Sequence, residues 1–232
     1  MKIAIMQPYF LPYIGYFQII NAVEVFVIYD DVNYIKKGWI NRNTILVNGK
    51  EFLFNITLQE VSQNKTINQI RIEENSNWKK NLLKTIALSY KKAPFFAEVF
   101  PIVENIILQD EKNLAKFLTY SLREICNFLS ISTIIVNSSE IEKNNDLKAQ
   151  NKIIEICKIK EADSYINAIG GTALYDKDAF IKSGLSLNFI KPKAIIYPQF
   201  KNEFIPWLSV IDVMMFNSPE QIKNFLMQYD LT

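Results

Sequence analysis

The sequence predicts an α/β fold in which helices cover both faces of a mostly parallel sheet. Three observations indicate this fold. Short β-branched and aromatic runs alternate with segments of helical spacing, the predicted strands are apolar throughout, and the chain opens with a strand–helix–strand unit of about 30 residues. A chain of 232 residues, 49% of them hydrophobic, can bury a large core. We therefore predict one α/β domain over residues 1–232, with a helical insertion at about 77–130.

The elements at the start of the chain follow from residue spacing. Lys2–Met6 is predicted as a buried strand, Ile14–Ala22 as a helix, and Glu24–Tyr29 as a second strand. Asn48-Gly49 is typical of a type I′ turn and predicts a β-hairpin. The hairpin strands are Thr44–Val47 and Glu51–Thr57.

Three helices are predicted in the middle of the chain, after which strands and helices alternate again. The three helices are Trp78–Lys91, Phe95–Leu108 and Glu111–Leu129. The alternating elements are strand Thr133–Val136, helix Leu147–Ile159, strand Ser164–Asn167, helix Thr172–Lys182 and strand Leu185–Ile190. Gly184 is a typical C-terminal helix stop, and further helices are expected up to about Gln228. This rhythm favours a mostly parallel, Rossmann-like sheet.

The composition excludes several common classes of enzyme. The chain contains no histidine, which excludes a Ser-His-Asp triad, a histidine base and a His-ligated zinc site. Its six glycines form neither a Walker A loop nor a GxGxxG motif. No metal ligands are assigned, and the sequence implies no bound cofactor.

Cysteine usage and charge indicate the compartment and the partners. Cys126 and Cys157 lie in helical patterns, so we expect no disulfide scaffold and a reducing, cytoplasmic environment. The net charge of +2 gives no case for nucleic acid, and no apolar run approaches the roughly 18 residues that a bilayer requires. The expected partner is a small substrate rather than nucleic acid or membrane, and a homodimer is left open.

Polar residues follow each strand predicted for the parallel sheet. The five segments are Gln7–Tyr9, Asp30–Asn33, Asn137–Ser139, Asn167–Thr172 and Lys191–Lys193. Ligands of open parallel sheets bind beyond the carboxyl ends of the strands. A polar loop at one strand end is ordinary, but five such loops at one edge predict a binding site.

The turn containing Gly170, Gly171 and Thr172 is the best candidate for binding an anion. It is predicted to join a strand to a helix, so free amides and the positive helix end could meet a phosphate. Lys191 and Lys193 could add charge. The alternative interpretation is a tight turn with a threonine cap and surface lysines.

The segment from Asp30 to Arg42 is the densest polar stretch. Asp30 and Asp31 could hold Mg²⁺ or act as a base, although strand alternation places them on opposite sides. Arg42 can pair with phosphate or carboxylate through two bonds, and Trp39 can stack on a base or sugar or be structural. The other candidate binding residues of this segment are Asn33, Tyr34, Lys36, Lys37 and Asn41.

Two aromatic segments flank these polar residues. In the first, Tyr9 and Tyr13 are expected in a pocket and Phe17 in the core. In the second, Phe204–Trp207 and Asp212 are expected to serve packing.

Four stretches together resemble the WbqC-like family, which is found in bacterial O-antigen and surface-polysaccharide gene clusters. They are Ile5–Phe17, Ile28–Asn43, Asn167–Gly171 and Phe204–Ser209, and the resemblance extends over nearly the whole chain. It implies a transferase that places an acyl or aminoacyl group, with glycyl as one candidate, on the amine of a nucleotide-linked amino sugar. Some members carry histidine before the Gln-Pro pair. This chain has Met6 there, so no role of that histidine applies.

Three functional hypotheses follow. In the first, an acyl or aminoacyl group is transferred to a nucleotide-linked amino-dideoxy sugar. Asp30 or Asp31 accepts the proton, with Tyr9 or Tyr34 as alternatives, and Gln7 or Asn167 polarises the carbonyl. The second is nucleotidyl transfer, or another step on the nucleotide sugar, by the two aspartates with Mg²⁺. Tyr13–Tyr16 corresponds to the HxGH segment of nucleotidylyltransferases, but without its two histidines it lacks the usual charge stabilisers of that chemistry. The third is a non-catalytic subunit that binds nucleotide sugars.

Overall fold

The computed structural model describes residues 1–201 and 203–232, and its elements alternate as the sequence predicts. The strands are β1 (Lys2–Met6), β2 (Val25–Ile28), β3 (Arg42–Val47), β4 (Lys50–Asn55), β5 (Leu58–Gln59), β6 (Arg71–Ile72), β7 (Ile134–Asn137), β8 (Ser164–Ala168), β9 (Ser186–Pro192) and β10 (Tyr229–Leu231). The α-helices are α1 (Ile14–Asn21), α2 (Trp78–Tyr90), α3 (Phe96–Leu108), α4 (Leu114–Phe128), α5 (Ala149–Ile159), α6 (Lys177–Lys182), α7 (Val210–Phe216) and α8 (Pro219–Leu226). Short 3₁₀ helices cover Ile67–Gln69, Ser138–Glu140 and Ile169–Leu174.

The central sheet has six strands in the order β10-β9-β8-β1-β2-β7. The five strands from β9 to β7 are parallel, and β10 pairs antiparallel with β9 at one edge. Numbered along the chain, the parallel strands read 3-2-1-4-5 from β7 to β9, which is the doubly wound order. The predicted mostly parallel sheet is confirmed, and its topological switch point lies between β1 and β8.

Alternating side chains of β1 enter two separate hydrophobic clusters. Ala4 belongs to the cluster that contains α1, whereas Ile3 and Ile5 belong to the cluster that contains α5 and α6. The sheet is therefore covered on both faces, as predicted. Residues of α2, α3 and α4, between β6 and β7, share the cluster of the α1 face.

The hairpin predicted at Asn48-Gly49 is confirmed. β3 and β4 pair antiparallel from Arg42↔Asn55 to Val47↔Lys50. Asn48 (φ 51°) and Gly49 (φ 74°) both have positive φ, which a type I′ turn requires. The two strands form a sheet of their own.

Two predicted helices begin later than their residue spacing suggested. The segment Thr172–Lys182 is helical only from Lys177, because Asp176 caps α6 by accepting a hydrogen bond from the amide of Asp178 (2.9 Å). Asn113 likewise begins α4 by accepting from the amide of Lys116 (3.1 Å). Gly184 ends α6 with φ +76°, as predicted. Of the helices in the described ranges, none is long and apolar enough to cross a bilayer.

Candidate functional site

The loop that follows β1 is held at the carboxyl edge of the sheet by buried hydrogen bonds. Leu11 has φ +46°, a left-handed conformation that needs external support in a residue other than glycine. Asn43 Nδ2 donates to the carbonyls of Phe10 (3.2 Å) and Leu11 (2.8 Å), and Ser209 Oγ donates to that of Leu11 (2.7 Å). The hairpin and the start of α7 thus fix this loop from two sides.

Tyr13 lies across the first turn of α1. A Cβ added at Gly15 would lie 2.2 Å from Cε2 of the Tyr13 ring, so only glycine at this position leaves room for the ring. The same ring packs edge-to-face against Trp207, with ring centroids 5.8 Å apart. Trp207 is 65% exposed and has φ +63°.

Tyr13 and Trp207 line two adjoining pockets. The smaller, which we name the aromatic cleft, has a volume of about 180 Å³ and is lined by Tyr9, Pro12, Tyr13, Trp39, Asn43 and Trp207. The larger, which we name the apolar pocket, has a volume of about 320 Å³ and is lined by residues 13–15, 192–197, 204, 206–208 and 213. Both are lined by residues of the loop after β1. Trp39 and Asn43 complete the aromatic cleft, and residues that follow β9 complete the apolar pocket.

A buried carboxylate fixes one wall of the apolar pocket. Asp212 is fully buried, and its Oδ2 accepts a hydrogen bond from the hydroxyl of Tyr90 (2.8 Å). Its Oδ1 accepts from the hydroxyl of Tyr197 (2.8 Å) and from Nε2 of Gln199 (2.7 Å), which also bonds to the backbone of Ile205. Burial raises the pKa of Asp212, and these three donors lower it in part. The Asp212 carboxylate therefore fixes the position of Tyr197, which lines the pocket.

A second polar cluster lies beyond β2 and β7. Asp31 Oδ2 is 2.9 Å from Nζ of Lys143 and 3.1 Å from Nζ of Lys152, whose side chains are only 2% and 9% exposed. Burial alone would raise the pKa of Asp31, but Lys143, the Ser138 hydroxyl and Lys152 together lower it. Asp31 therefore stays ionised and is a weak proton acceptor.

Asp30 bonds to a different partner from Asp31. Asp30 is 2% exposed, and its two oxygens accept from the amide (2.9 Å) and the hydroxyl (2.6 Å) of Ser139. Burial raises the pKa of Asp30, and the bonds from Ser139 oppose that rise. The Asp30 carboxylate thus ties the end of β2 to the turn after β7.

The comparisons with known proteins concern nearly the whole chain. The WbqC-like protein family matches residues 7–224, a range that includes both pockets and both aspartates. The chain belongs to the WbqC-like family. It is similar to the uncharacterized protein Rv1507c of Mycobacterium tuberculosis (strain ATCC 25618 / H37Rv), with 28% identity over 229 residues, or 97% of each chain. No solved structure gives a significant match.

The structure brings five of the predicted binding residues of this WbqC-like chain together. Tyr34, Lys36, Lys37, Asn41 and Arg42 line an open pocket of about 270 Å³ beside the hairpin. The Tyr34 hydroxyl donates to Asn41 Oδ1 (2.7 Å), so these two side chains anchor each other. Arg42 donates to the carbonyls of Gly38 (3.0 Å) and Lys37, and its guanidinium lies 5.6 Å from the centroid of the Trp39 ring. Two N–H groups of the Arg42 guanidinium are therefore already bonded to backbone carbonyls of its own loop.

Other predicted residues of the WbqC-like chain lie apart from that pocket. Asn33 is exposed and bridges to Thr66, whereas the Gln7 carbonyl accepts from Tyr16 Oη (2.8 Å). Lys193 lines the apolar pocket and pairs with Asp230 (2.9 Å). The placement of Lys191 after the strand was wrong, because this residue is still part of β9.

The prediction of an α-helix directly after β8 was also wrong. Gly170, Gly171 and Thr172 lie in a 3₁₀ helix of six residues, so the α-helix N-terminus proposed to bind an anion there does not exist. Asn167 is buried and accepts from the amide of Ala168 (2.7 Å). A Cβ on Gly171 would lie 2.9 Å from Nδ2 of Asn167, so this glycine permits close packing.

Sequence reasoning missed three residues that the structure places at these sites. Trp207 lines both pockets and is 65% exposed, whereas its segment was expected to serve packing. Lys143 and Lys152 are buried on Asp31, although lysines are ordinarily exposed. The spacing of Lys152 four residues before the buried Ile156 was a signal that its side chain faces the core.

Proposed function

We propose that this protein transfers an acyl or aminoacyl group to the amine of a nucleotide-linked amino-dideoxy sugar. The observation that carries the proposal is the pair of adjoining pockets that meet at Tyr13 and Trp207. A transfer between two substrates needs both of them side by side, and holding them so supplies much of the rate enhancement. Membership of the WbqC-like family supports the same assignment.

The aromatic cleft is suited to the sugar nucleotide. Trp39 and Trp207 are 47% and 65% exposed, and Tyr9 completes the aromatic lining. Aromatic rings of this kind stack on sugars and bases, and a base stacked on an aromatic side chain contributes about 1–3 kcal/mol. Asn43 also lines the cleft, but its amide is bonded to the backbone of Phe10, Leu11 and Thr44, so it supports the lining rather than the ligand.

The apolar pocket is suited to the acyl portion of the donor. Its lining contains Ile195, Phe204, Leu208 and Val213, and burying a methylene group against such side chains contributes about 0.8 kcal/mol. The wall of the pocket is held rigidly by the bonds around Asp212.

The chemistry requires a neutral amine, a proton acceptor and a hydrogen-bond donor to the carbonyl. The amine nitrogen attacks the acyl carbon, the bond to the donor's leaving group breaks, and the amine proton passes to the acceptor. Burial raises the pKa of Tyr9, which keeps its hydroxyl protonated and able to donate, and Gln7 is the second candidate donor. Asp30 is the proposed proton acceptor, because burial raises its pKa whereas the pKa of Asp31 is lowered; Ser139 Oγ lies 2.6 Å from the Asp30 carboxylate.

Magnesium-dependent nucleotidyl transfer fits the residues less well. A cation at Asp31 would face the ammonium groups of Lys143 and Lys152, and both oxygens of Asp30 already accept hydrogen bonds from Ser139. Within residues 1–201 and 203–232, no three acidic or cysteine side chains gather into a metal-binding group.

Ligand binding followed by tryptophan fluorescence tests the proposal. Two of the three tryptophans line the aromatic cleft, so nucleotide-linked sugars with a 3- or 4-amino group should quench emission, and hydroxyl analogues should bind at least tenfold more weakly. Trp207→Ala should weaken the binding, whereas Leu174→Ala, an exposed apolar residue outside both pockets, should not. Equal affinity for amino and hydroxyl sugars, or unchanged affinity in Trp207→Ala, contradicts the proposal. Turnover of nucleoside triphosphate with release of pyrophosphate would favour nucleotidyl transfer instead.

A further inference from the structure

The cluster around Asp31 places two buried lysines against one carboxylate, while the neighbouring Asp30 carboxylate bonds to Ser139 instead. Lys143 and Lys152 share one carboxylate oxygen of Asp31, and both ammonium groups are buried. Glu155, one turn after Lys152 on α5, accepts from the amide of Asn144 rather than pairing with either lysine. Burying an ammonium group without full compensation is costly, so the second lysine calls for an explanation.

The two lysines differ in how their donors are used. Nζ of Lys143 bonds to Asp31 and to the carbonyls of Ser138 and Ile141, which accounts for all three of its N–H groups. Nζ of Lys152 donates only to Asp31 and lies 5.5 Å from the centroid of the Tyr29 ring. Its two other N–H groups have no acceptor in the described part of the chain.

The surroundings of Lys152 add further positive potential. It is the fourth residue of α5, and helix N-termini disfavour cations and attract anions. The N-cap residue Lys148 provides no side-chain hydrogen bond, and the first turn contains no acidic residue. The half-buried Tyr29 offers a hydroxyl that makes no hydrogen bond to any described residue.

We propose that Lys152, the Tyr29 hydroxyl and the first turn of α5 form a phosphate-binding site, separate from the two pockets at Tyr13 and Trp207. A phosphate group supplies the acceptors that Lys152 lacks. Asp31, which also binds Lys143, holds the ammonium group of Lys152 in place. The phosphate is either a free inorganic anion or part of a phosphorylated substrate.

Isothermal titration with inorganic pyrophosphate tests the site in the full chain. Wild type should bind it, and Lys152→Gln should weaken binding at least tenfold. Lys158→Gln, which removes an equal charge from an exposed position on the same helix, should bind as wild type does. Absence of pyrophosphate binding to wild type, or equal weakening by both substitutions, overturns the proposal.

Two further variants make the test decisive. Tyr29→Phe removes only the hydroxyl and should weaken binding severalfold. If Lys152→Gln does not fold, unchanged affinity in Tyr29→Phe overturns the proposal. Trp207→Ala should leave pyrophosphate binding unchanged, which separates this site from the proposed transferase site. Competition between pyrophosphate and a nucleotide-linked sugar would identify the phosphorylated substrate as the source, whereas simultaneous binding would identify a free anion.

Discussion

Replacing Gly15 with alanine should disable the aromatic cleft while leaving the fold intact. The new Cβ would lie 2.2 Å from Cε2, 2.6 Å from Cζ and 2.7 Å from the hydroxyl oxygen of Tyr13. Ordinary contact begins near 3.4 Å, so the ring must move by more than 1 Å, and it can do so because it is the free end of a side chain. Alanine favours a helix by about 1 kcal/mol over glycine, and the lost contact with Trp207 costs about 0.5–1.5 kcal/mol. The free energy of unfolding should therefore change by less than about 1 kcal/mol.

Denaturant unfolding and fluorescence titration of the same preparation separate these two effects. We expect Gly15→Ala to bind nucleotide-linked amino sugars at least tenfold more weakly than wild type. Gly170→Ala is the matched control, because a Cβ there meets nothing within 4 Å. Wild-type affinity in Gly15→Ala, or a loss of more than about 3 kcal/mol of stability, would refute the inferred role of the Tyr13 ring.

Three further predictions concern buried hydrogen bonds. Asp212→Asn should lower the free energy of unfolding by about 3 kcal/mol in urea, because an amide cannot accept all three bonds now made to the carboxylate; a change below about 1 kcal/mol would contradict this. Asp31→Asn should cost about 3–5 kcal/mol at pH 7, since it leaves two buried lysines unpaired. The pKa of Asp31 is lowered in the folded state, so the stability advantage of wild type over Asp31→Asn should be complete above about pH 4 and shrink below it. If the unfolding midpoints of the two proteins differ by the same amount at about pH 7 and at about pH 3, this prediction is contradicted. Asn43→Ala should cost about 2 kcal/mol and increase proteolysis of the loop after β1, whereas an unchanged cleavage rate would show that Asn43 does not hold this loop.

Local sequence patterns were sufficient to predict the parallel strands of the sheet and the hairpin. β1 has the bounds Lys2–Met6 that were predicted around its apolar run, and the turn at Asn48-Gly49 needs no long-range contact. The start of α6 could not be obtained from spacing alone, because it depends on which side chain caps the helix. β10 has three residues and exists through its pairing with β9, so the segment itself carries no strand pattern.

The candidate site was predictable in part. Tyr9, Tyr13 and Trp39 were identified because they lie in loops that follow predicted strands. The role of Lys152 depends on a bond to Asp31, 121 residues away in sequence, and no local pattern encodes that pairing. The binding role of Arg42 stays a prediction, and the bonds of its guanidinium to backbone acceptors of its own loop were not foreseen.

The hydrogen bonds that hold the loop after β1 also have a consequence for folding. Asn43 belongs to the hairpin and Ser209 to the start of α7, so the loop is hydrogen-bonded by segments that lie far apart in the chain. Contacts of this kind form late, because the entropy of closing long loops must be overcome first. A partly folded chain would therefore lack the cleft altogether. Substrate would then act as a selective stabiliser of the native state, slowing unfolding without speeding the early steps of folding.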